Sequence, residues 1–313
     1  MNRSSDPGAI DAGTSAAPVP YASGPDSWAP VLDPPRAAVV DAVSRAIAED
    51  VLPLGDLTTG LIAAGRRATV DVVSRAAGII AGQACAVEAF AQVDPGVSVD
   101  WIRVDGSVVA PGDVVATVEG TLRSILTAER TALNFLGHLS GIATLTRAYV
   151  DAVRAANPAT RVLDTRKTTP GLRALEKAAV RAGGGHNHRG SLSEAVLVKD
   201  NHLGGATITE AVHRARDLWP GRMVEVECDR LDQVDEAVAA GATVVMLDNM
   251  GPDRVAEAVA RVRGAGSEAL IEVSGGVTLD SAPALAAAGA DLLSAGALTH
   301  SAPVLDLGLD LRA

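Results

Sequence analysis

The stretch RVLDTRKTTPGLRALEKAAVRAGGGHNHRGSLSEAVLVKDNH, residues 161–202, decides how the chain folds. It opens with an apolar run, Arg161 to Thr165, that breaks at Arg166-Lys167. It closes with another, Ala195 to Val198, that breaks at Lys199-Asp200. Both runs read as buried strands that end in charge. Between them Thr169 is placed to cap a helix and Pro170 to take its first position. Leu172, Leu175 and Ala179 supply its apolar stripe, and Gly183-Gly184-Gly185 stops it. The stretch carries eight Lys and Arg against four Asp and Glu, inside a chain whose formal net charge is −11. A basic island in an acidic protein marks a candidate anion site.

The same alternation continues toward the C-terminus. Further strands are predicted at Met223 to Glu227, Thr243 to Leu247, Ala269 to Val273 and Asp291 to Leu293, with helices such as Leu231 to Ala240 and Pro252 to Arg263 between them. Near-continuous apolar strands alternating with helices predict an α/β fold with a parallel sheet covered on its outer side, either a doubly wound sheet or, the reading favoured here, an open, roughly six-stranded barrel over residues 123–299. A long helix from Ser124 to Asn157 feeds it, with Leu126, Leu133, Leu136 and Ile142 facing inward and Arg130, Asn134 and His138 on one polar stripe.

Upstream, residues 35–122 read as a small α+β sandwich domain, which the C-terminal segment 300–313 is expected to join. The segment VDGSVVAPGDVVATVEG resembles the turns of a lipoyl-type hammerhead, but it lacks the lysine of a carrier and is read as scaffold. Residues 1–34, rich in Ala, Pro, Ser and Gly without an apolar period, are expected to form a disordered tail. No apolar run approaches the roughly 18 residues of a membrane span, and no signal-peptide pattern is visible, so the expected place is the cytoplasm. Cys85 and Cys228 form no CxxC pair, which argues against a zinc or disulfide framework. With aromatics at 2%, a base-stacking surface is absent and nucleic acid is not an expected partner.

The functional signal lies at the C-terminal end of each strand. These ends carry Arg166-Lys167, Lys199, Glu227, Asp248, Ser274-Gly275-Gly276 and Ser294-Ala295-Gly296. In α/β barrels that rim holds the active site, and the last two turns are where backbone N–H groups commonly cradle a phosphate. Glu227 and Asp248, on neighbouring strands, are placed for sugar hydroxyls or Mg²⁺. His186, His188 and His202 suggest a metal less well: the HNH spacing has no matching acid or Cys nearby in sequence, and Arg189 adjoins it. His188 and Arg189 fit better as donors to carboxylates.

Five ordered motifs, DTRKTTPGLRALEKAAVRAGGGHNHR, LVKDNH, EVEC, VMLDNM and EVSGG, with TAERTALNFLGHLSGIAT upstream, closely resemble the quinolinate phosphoribosyltransferases, the decarboxylating enzymes also called nicotinate-nucleotide pyrophosphorylases. The resemblance runs from about residue 35 to the C-terminus. It implies transfer of phosphoribosyl from phosphoribosyl pyrophosphate to quinolinate, with loss of CO2, to give nicotinate mononucleotide for NAD synthesis. It implies a homodimer in which Arg130 reaches the neighbour's quinolinate. Arg166, His188, Arg189 and Lys199 match positions around the quinolinate carboxylates, and Lys167 one near the substrate and phosphates. Ser274, Gly275, Gly276, Ser294 and Gly296 fall in the phosphate turns, while Glu227 and Asp248 match the ribose and magnesium side, so that Lys167, Glu227 and Asp248 are the implied catalytic group. Three rival expectations are a related transferase for another acidic acceptor, an aldolase using Lys199 as a Schiff base, and a non-enzymatic sugar-phosphate sensor, which would need no second anion pocket.

Overall fold

The structure is a computed structural model and describes residues 33–312. The expected tail therefore lies outside the described residues, apart from its last two positions.

In chain order, α1 (Arg36–Val51) leads to β1 (Arg67–Ser74), β2 (Gly78–Ile79), α2 (Gln83–Val93), β3 (Ser98–Trp101), β4 (Val108–Val109) and β5 (Val114–Thr121). The long helix α3 (Leu122–Ala156) comes next, its first turn capped by the Thr121 side chain accepting from Ser124 N. Then come β6 (Arg161–Leu163), α4 (Arg173–Ala182), β7 (Val196–Val198), α5 (Asp200–Leu203), α6 (Ile208–Leu218), β8 (Val224–Cys228), α7 (Leu231–Ala240) and β9 (Val244–Asp248). The chain ends with α8 (Pro252–Gly264), β10 (Leu270–Ser274), α9 (Ala282–Ala287), β11 (Leu292–Ser294), α10 (Ala297–His300) and β12 (Leu307–Leu311).

Two main sheets form among the described residues. The antiparallel one has the order β12-β1-β5-β3, so the C-terminal strand returns to pair with β1. The parallel one has the order β6-β11-β10-β9-β8-β7. Its ends, β6 and β7, do not pair, so the barrel is open; a single parallel bridge from Leu163 to His186 is all that extends the β6 edge. This is the expected fold class, a small α+β domain with an open six-stranded α/β barrel.

Several expected details shift. The last four barrel strands begin and end one residue later than expected, which makes Asp248, Ser274 and Ser294 strand termini rather than loop residues. The helix expected to start at Pro170 starts at Arg173, because Gly171 takes a left-handed conformation (φ +82°) that no helix can run through. Leu126 of α3, expected in the core, is exposed, while Leu133, Leu136 and Ile142 are buried. Small residues let α3 seat the C-terminal return: a Cβ on Gly141 would collide with the Pro303 carbonyl. Both cysteines are buried and free, and burial pushes each thiol up to about 12, so they behave as small apolar core residues.

The strands are also less uniformly apolar than expected. Val224 and Val226 face the helical layer, as do Ile271 and Val273, but Glu225 and Glu272 alternate with them and are buried.

Candidate active site

Period-two alternation places Glu225 and Glu227 on one face of β8, Met246 and Asp248 on the same face of β9, and Glu272 and Ser274 on that of β10. In the β7–β8 register Val198 lies opposite Val226, which sets Lys199 beside Glu227, and the two form an ion pair. Lys199 N also donates to His202 Nδ1 at 3.0 Å, so this histidine caps α5.

The HNHR loop is clamped to the end of β6 by buried charge. Asp164 accepts from Asn187 Nδ2 at 2.6 Å and from His188 N at 2.9 Å, and it pairs with Lys177 of α4, whose Nζ also donates to His188 O at 2.7 Å. Burial works against both charges, raising Asp164 and lowering Lys177, while the charge of each acts on the other in the opposite sense. Three donors converge on one carboxylate, so the loop's backbone has no freedom to drift.

His188, thus placed, points Nε2 at two more buried carboxylates: 3.1 Å from Glu225 Oε2 and 3.5 Å from Glu272 Oε2. Ser294 Oγ donates to Glu272 Oε1 at 2.6 Å. The acids that the HNH motif lacks in sequence are therefore supplied by β8 and β10. His188, Glu225 and Glu272 form the group of potential metal ligands found among the described residues.

Arg189 donates to Ala195 O at 3.0 Å. Burial first, and then the charge of Arg166, depress its pKa, with Glu225 acting in the opposite sense. Arg173 Nη2 donates to Arg166 O at 3.3 Å, and Arg166 Nε is buried with no hydrogen-bond partner among the described residues. Neighbouring guanidinium groups, one with an unsatisfied buried N–H, are stabilised when an anion lies between them.

On the other side of the mouth, the glycine turns come close to the charged strand ends. A Cβ on Gly275 would lie 2.7 Å from Asp248 Oδ1, and Gly275 and Gly276 both have positive φ (+81° and +62°). Asn249, itself left-handed at φ 55°, donates from Nδ2 to Asp248 Oδ2 at 2.7 Å. A Cβ on Gly296 would lie 3.0 Å from Lys167 Cδ and 3.1 Å from His300 Nε2, so the Lys167 side chain crosses the SAG turn. Thr299 Oγ1 fixes the Lys167 carbonyl at 2.8 Å.

Thus Arg166, His188 and Arg189 form one contiguous group through Glu225, Lys199 and Glu227 a second, Asp248 with Ser274–Gly276 a third, and Lys167 with Gly296 a fourth. Lys199, Asp248, Ser274–Gly276 and Gly296 stand at C-terminal strand ends or just beyond them, Arg166 and Lys167 follow the end of β6, and His188 and Arg189 sit in the loop between α4 and β7. Arg130 is the exception. It is exposed on α3, on the side shared with Leu126 and Asn134, and no hydrogen bond or ion pair joins it to the rim among the described residues. The polar stripe expected on α3 also splits, since His138 turns to Glu176 of α4 at 2.9 Å.

Sequence reading missed Asp164, Lys177, Asn187, Glu225, Glu272 and Asn249. The available signal was the alternation VEVE and IEVS, which marks a sheet polar on its inner face. A separate groove of about 1210 Å³ runs along the β7 edge, lined by Leu203, Ala211, Leu218 and Trp219; of the expected site residues Arg189 and no other reaches its wall.

The chain resembles known proteins in sequence and in fold. Residues 56–140 match the model of the quinolinate phosphoribosyl transferase N-terminal domain, and residues 142–310 that of its C-terminal domain. The chain is 43% identical over 280 residues to a probable nicotinate-nucleotide pyrophosphorylase [carboxylating] of Synechocystis, covering 89% of this chain and 94% of that protein. It is 42% identical to the nicotinate-nucleotide pyrophosphorylase [carboxylating] of Mycobacterium leprae, over 88% of this chain and 97% of that one. The solved nicotinate-nucleotide pyrophosphorylase of Francisella tularensis superposes with a TM-score of 0.84 at 39% identity, over 90% of this chain and 99% of that one. The two family models together span residues 56–140 and 142–310, and the chain belongs to the quinolinate phosphoribosyl transferase family.

Proposed function

We propose that this chain joins quinolinate to phosphoribosyl pyrophosphate, releasing pyrophosphate and CO2 and leaving nicotinate mononucleotide for NAD synthesis. The observation that carries the reading is the Arg166–Arg189 neighbourhood, where the charge of Arg166 acts on Arg189 and a buried, unpartnered Arg166 Nε calls for an anion.

In this reading Arg166, His188, Arg189 and Lys199 hold the quinolinate carboxylates. A second copy of the chain contributes Arg130, whose exposure on α3 fits a residue that works across a homodimer interface. Lys167 and the turns at Ser274, Gly275, Gly276, Ser294 and Gly296 hold the phosphates. Both substrates are anions that repel each other. Each close cation–anion pair offsets that repulsion by about 4 kcal/mol at an effective dielectric near 20.

The pyridine nitrogen attacks C1 of the ribose as the C1–O bond breaks, its electron pair leaving on pyrophosphate. Positive charge develops on the ribose ring, where the carboxylates of Glu227 and Asp248 are more strongly attracted than in the ground state. The bond to the 2-carboxylate then breaks, CO2 departs, and the ring carbon takes up a proton, with the now cationic nitrogen stabilising the electron pair. Glu227 and Asp248 also fit Mg²⁺: both are hard oxygen donors on adjacent strands, and that ion is commonly held by one or two carboxylates together with substrate phosphates. When bound, it would neutralise the pyrophosphate charge.

The Schiff-base alternative finds no support in the surroundings of Lys199, which stands in an ion pair with Glu227 rather than in an apolar or cation-flanked pocket. No helix among the described residues is long and apolar enough to cross a membrane, which is compatible with a cytoplasmic enzyme. The test is direct: purified protein given both substrates and Mg²⁺ should release CO2 and pyrophosphate in equal amounts. Turnover of another acidic acceptor but not quinolinate would instead establish the related-transferase reading.

A further inference from the structure

We propose that Arg173, the first residue of α4, is a positioning residue: it ties the loop that carries Arg166 and Lys167 to the loop that carries His188 and Arg189, and the tie fixes the spacing by which the site selects a dicarboxylate. The proposal rests on the quinolinate-binding reading above and names what sets its selectivity.

The local sequence puts this arginine within reach of both loops. Gly171 in the left-handed region (φ +82°) delays the helix, so α4 begins at Arg173, close behind the loop it holds. Side chains of a helix lean toward its N-terminus, which aims Arg173 back over residues 166–168. There Nε donates to Thr168 Oγ1 at 3.1 Å and Nη2 to Arg166 O at 3.3 Å, while Nη1 donates to Gly190 O at 3.0 Å. One planar fork thus meets two separate segments of chain. No other side chain among the described residues bonds to both. Thr299 and Glu176 hold Lys167 O and Thr169 N on the first loop. Asp164, Lys177 and Glu194 hold Asn187, His188 and Gly190 on the second, without reaching residues 166–169.

For the helix alone the placement is unfavourable. A cation in the first turn opposes the helix dipole, and half-buried Arg173 has three neutral oxygens, not a carboxylate, as its acceptors. What the residue supplies is position. Quinolinate carries two carboxylates on adjacent carbons of a rigid ring, so Arg166 and Arg189 serve both at once only when the two loops keep one separation. A ligand with a single carboxylate makes no such demand. Loosening the tie therefore weakens a dicarboxylate more than a monocarboxylate. Phosphoribosyl pyrophosphate is affected least, because Thr299 fixes the Lys167 backbone independently.

The experiment compares the full chain with Arg173→Lys, which keeps the charge on one ammonium that cannot span three acceptors, and with Arg173→Ala. Hydrogen exchange of the ligand-free proteins should quicken by about tenfold in residues 166–169 and 187–190 of both variants, with the C-terminal half of α4 unchanged. In calorimetry, quinolinate affinity should fall by about tenfold to a hundredfold in both, nicotinate affinity far less, and phosphoribosyl pyrophosphate affinity least. Millimolar guanidinium should restore part of the quinolinate affinity of Arg173→Ala. Thr168→Val removes one of the three bonds from the acceptor side and should move the same readouts by a smaller amount, which carries the test if the Arg173 variants fold poorly.

Wild-type quinolinate affinity in Arg173→Lys would reduce the residue to a charge, and unchanged exchange in either loop would mean that no tie exists; each result overturns the proposal. Equal loss for all three ligands with a lowered melting temperature would show a merely structural role and overturn it as well. A wild-type chain that binds no quinolinate sinks the binding reading and the selectivity with it, while exchange in the ligand-free protein still decides the tie.

Discussion

The two sheets solve the same burial problem in opposite ways. In the antiparallel sheet the enclosed face is apolar, with Val70, Val72, Val115 and Val118 buried, and charged residues such as Asp71 and Arg312 meet at its margin. In the parallel sheet the apolar residues point out to the helices, and the enclosed face carries Glu225, Glu272, Ser294 and, next to them, Asp164 with Lys177. An antiparallel sheet needs one covered face and spends its apolar residues there. A barrel wall covered by helices leaves its axis available for polar groups, provided each is satisfied. The difference separates a scaffold, where substitutions should change stability, from a site, where they should change chemistry.

The strongest way to break that separation is at the rim. Arg166→Ala removes charge-assisted hydrogen bonds worth about 1.5–3 kcal/mol each, so kcat/KM for quinolinate should fall by on the order of 10³-fold while the melting temperature stays within a few degrees. Steady-state kinetics beside thermal denaturation would read both, and a folding collapse with normal residual kinetics would count against the division. Arg130→Ala should be similarly inactive, yet mixed dimers with an inactive partner carrying Lys167→Ala should regain part of the activity, because one of the two shared sites is then intact. Absence of any regain would contradict a site shared between copies.

The reverse experiment belongs to the scaffold. Phe90 of α2 is 2% exposed, and Phe90→Ala should cost about 3–5 kcal/mol of stability and leave KM for both substrates unchanged in the fraction that folds. Smaller is the effect of pH. His188 is raised above its ordinary value because its bonds and charges to Glu225 and Glu272 outweigh burial. Quinolinate affinity should therefore be full below the usual imidazole value, about 6.5, and fall as pH rises through the raised one. Measured KM should climb on the alkaline side by up to about tenfold; a flat profile to pH 9 would remove His188 as a charged donor. Last, deletion of residues 2–30 should leave kcat/KM unchanged, and a large drop would assign that segment a part in catalysis.

The rim was legible because its strand ends interrupt apolar runs with charge: Arg166-Lys167, Lys199 and Asp248 stand out against the runs before them. The helix start at Arg173 was misread because Pro170 is a good first residue in isolation, while Gly171 in the left-handed region settles the matter only in three dimensions. The inner carboxylates were overlooked for a related reason. A run such as VEVEC scores as an apolar strand with an acid at its end, and nothing local says that Glu225, two residues earlier, meets a histidine thirty-seven positions away in the chain. Likewise Asp164 reads as one more acid until Lys177, Asn187 and His188 close on it. Long-range polar pairing leaves no periodic trace.

The most direct test of the account is the ratio of quinolinate to nicotinate affinity, by calorimetry on the intact protein and on Arg166→Ala. A mouth built for two carboxylates should bind the dianion at least tenfold more tightly than the monoanion, and the substitution should erase most of that preference. Equal affinity for the two ligands in the wild type, or a preference untouched by Arg166→Ala, would contradict it.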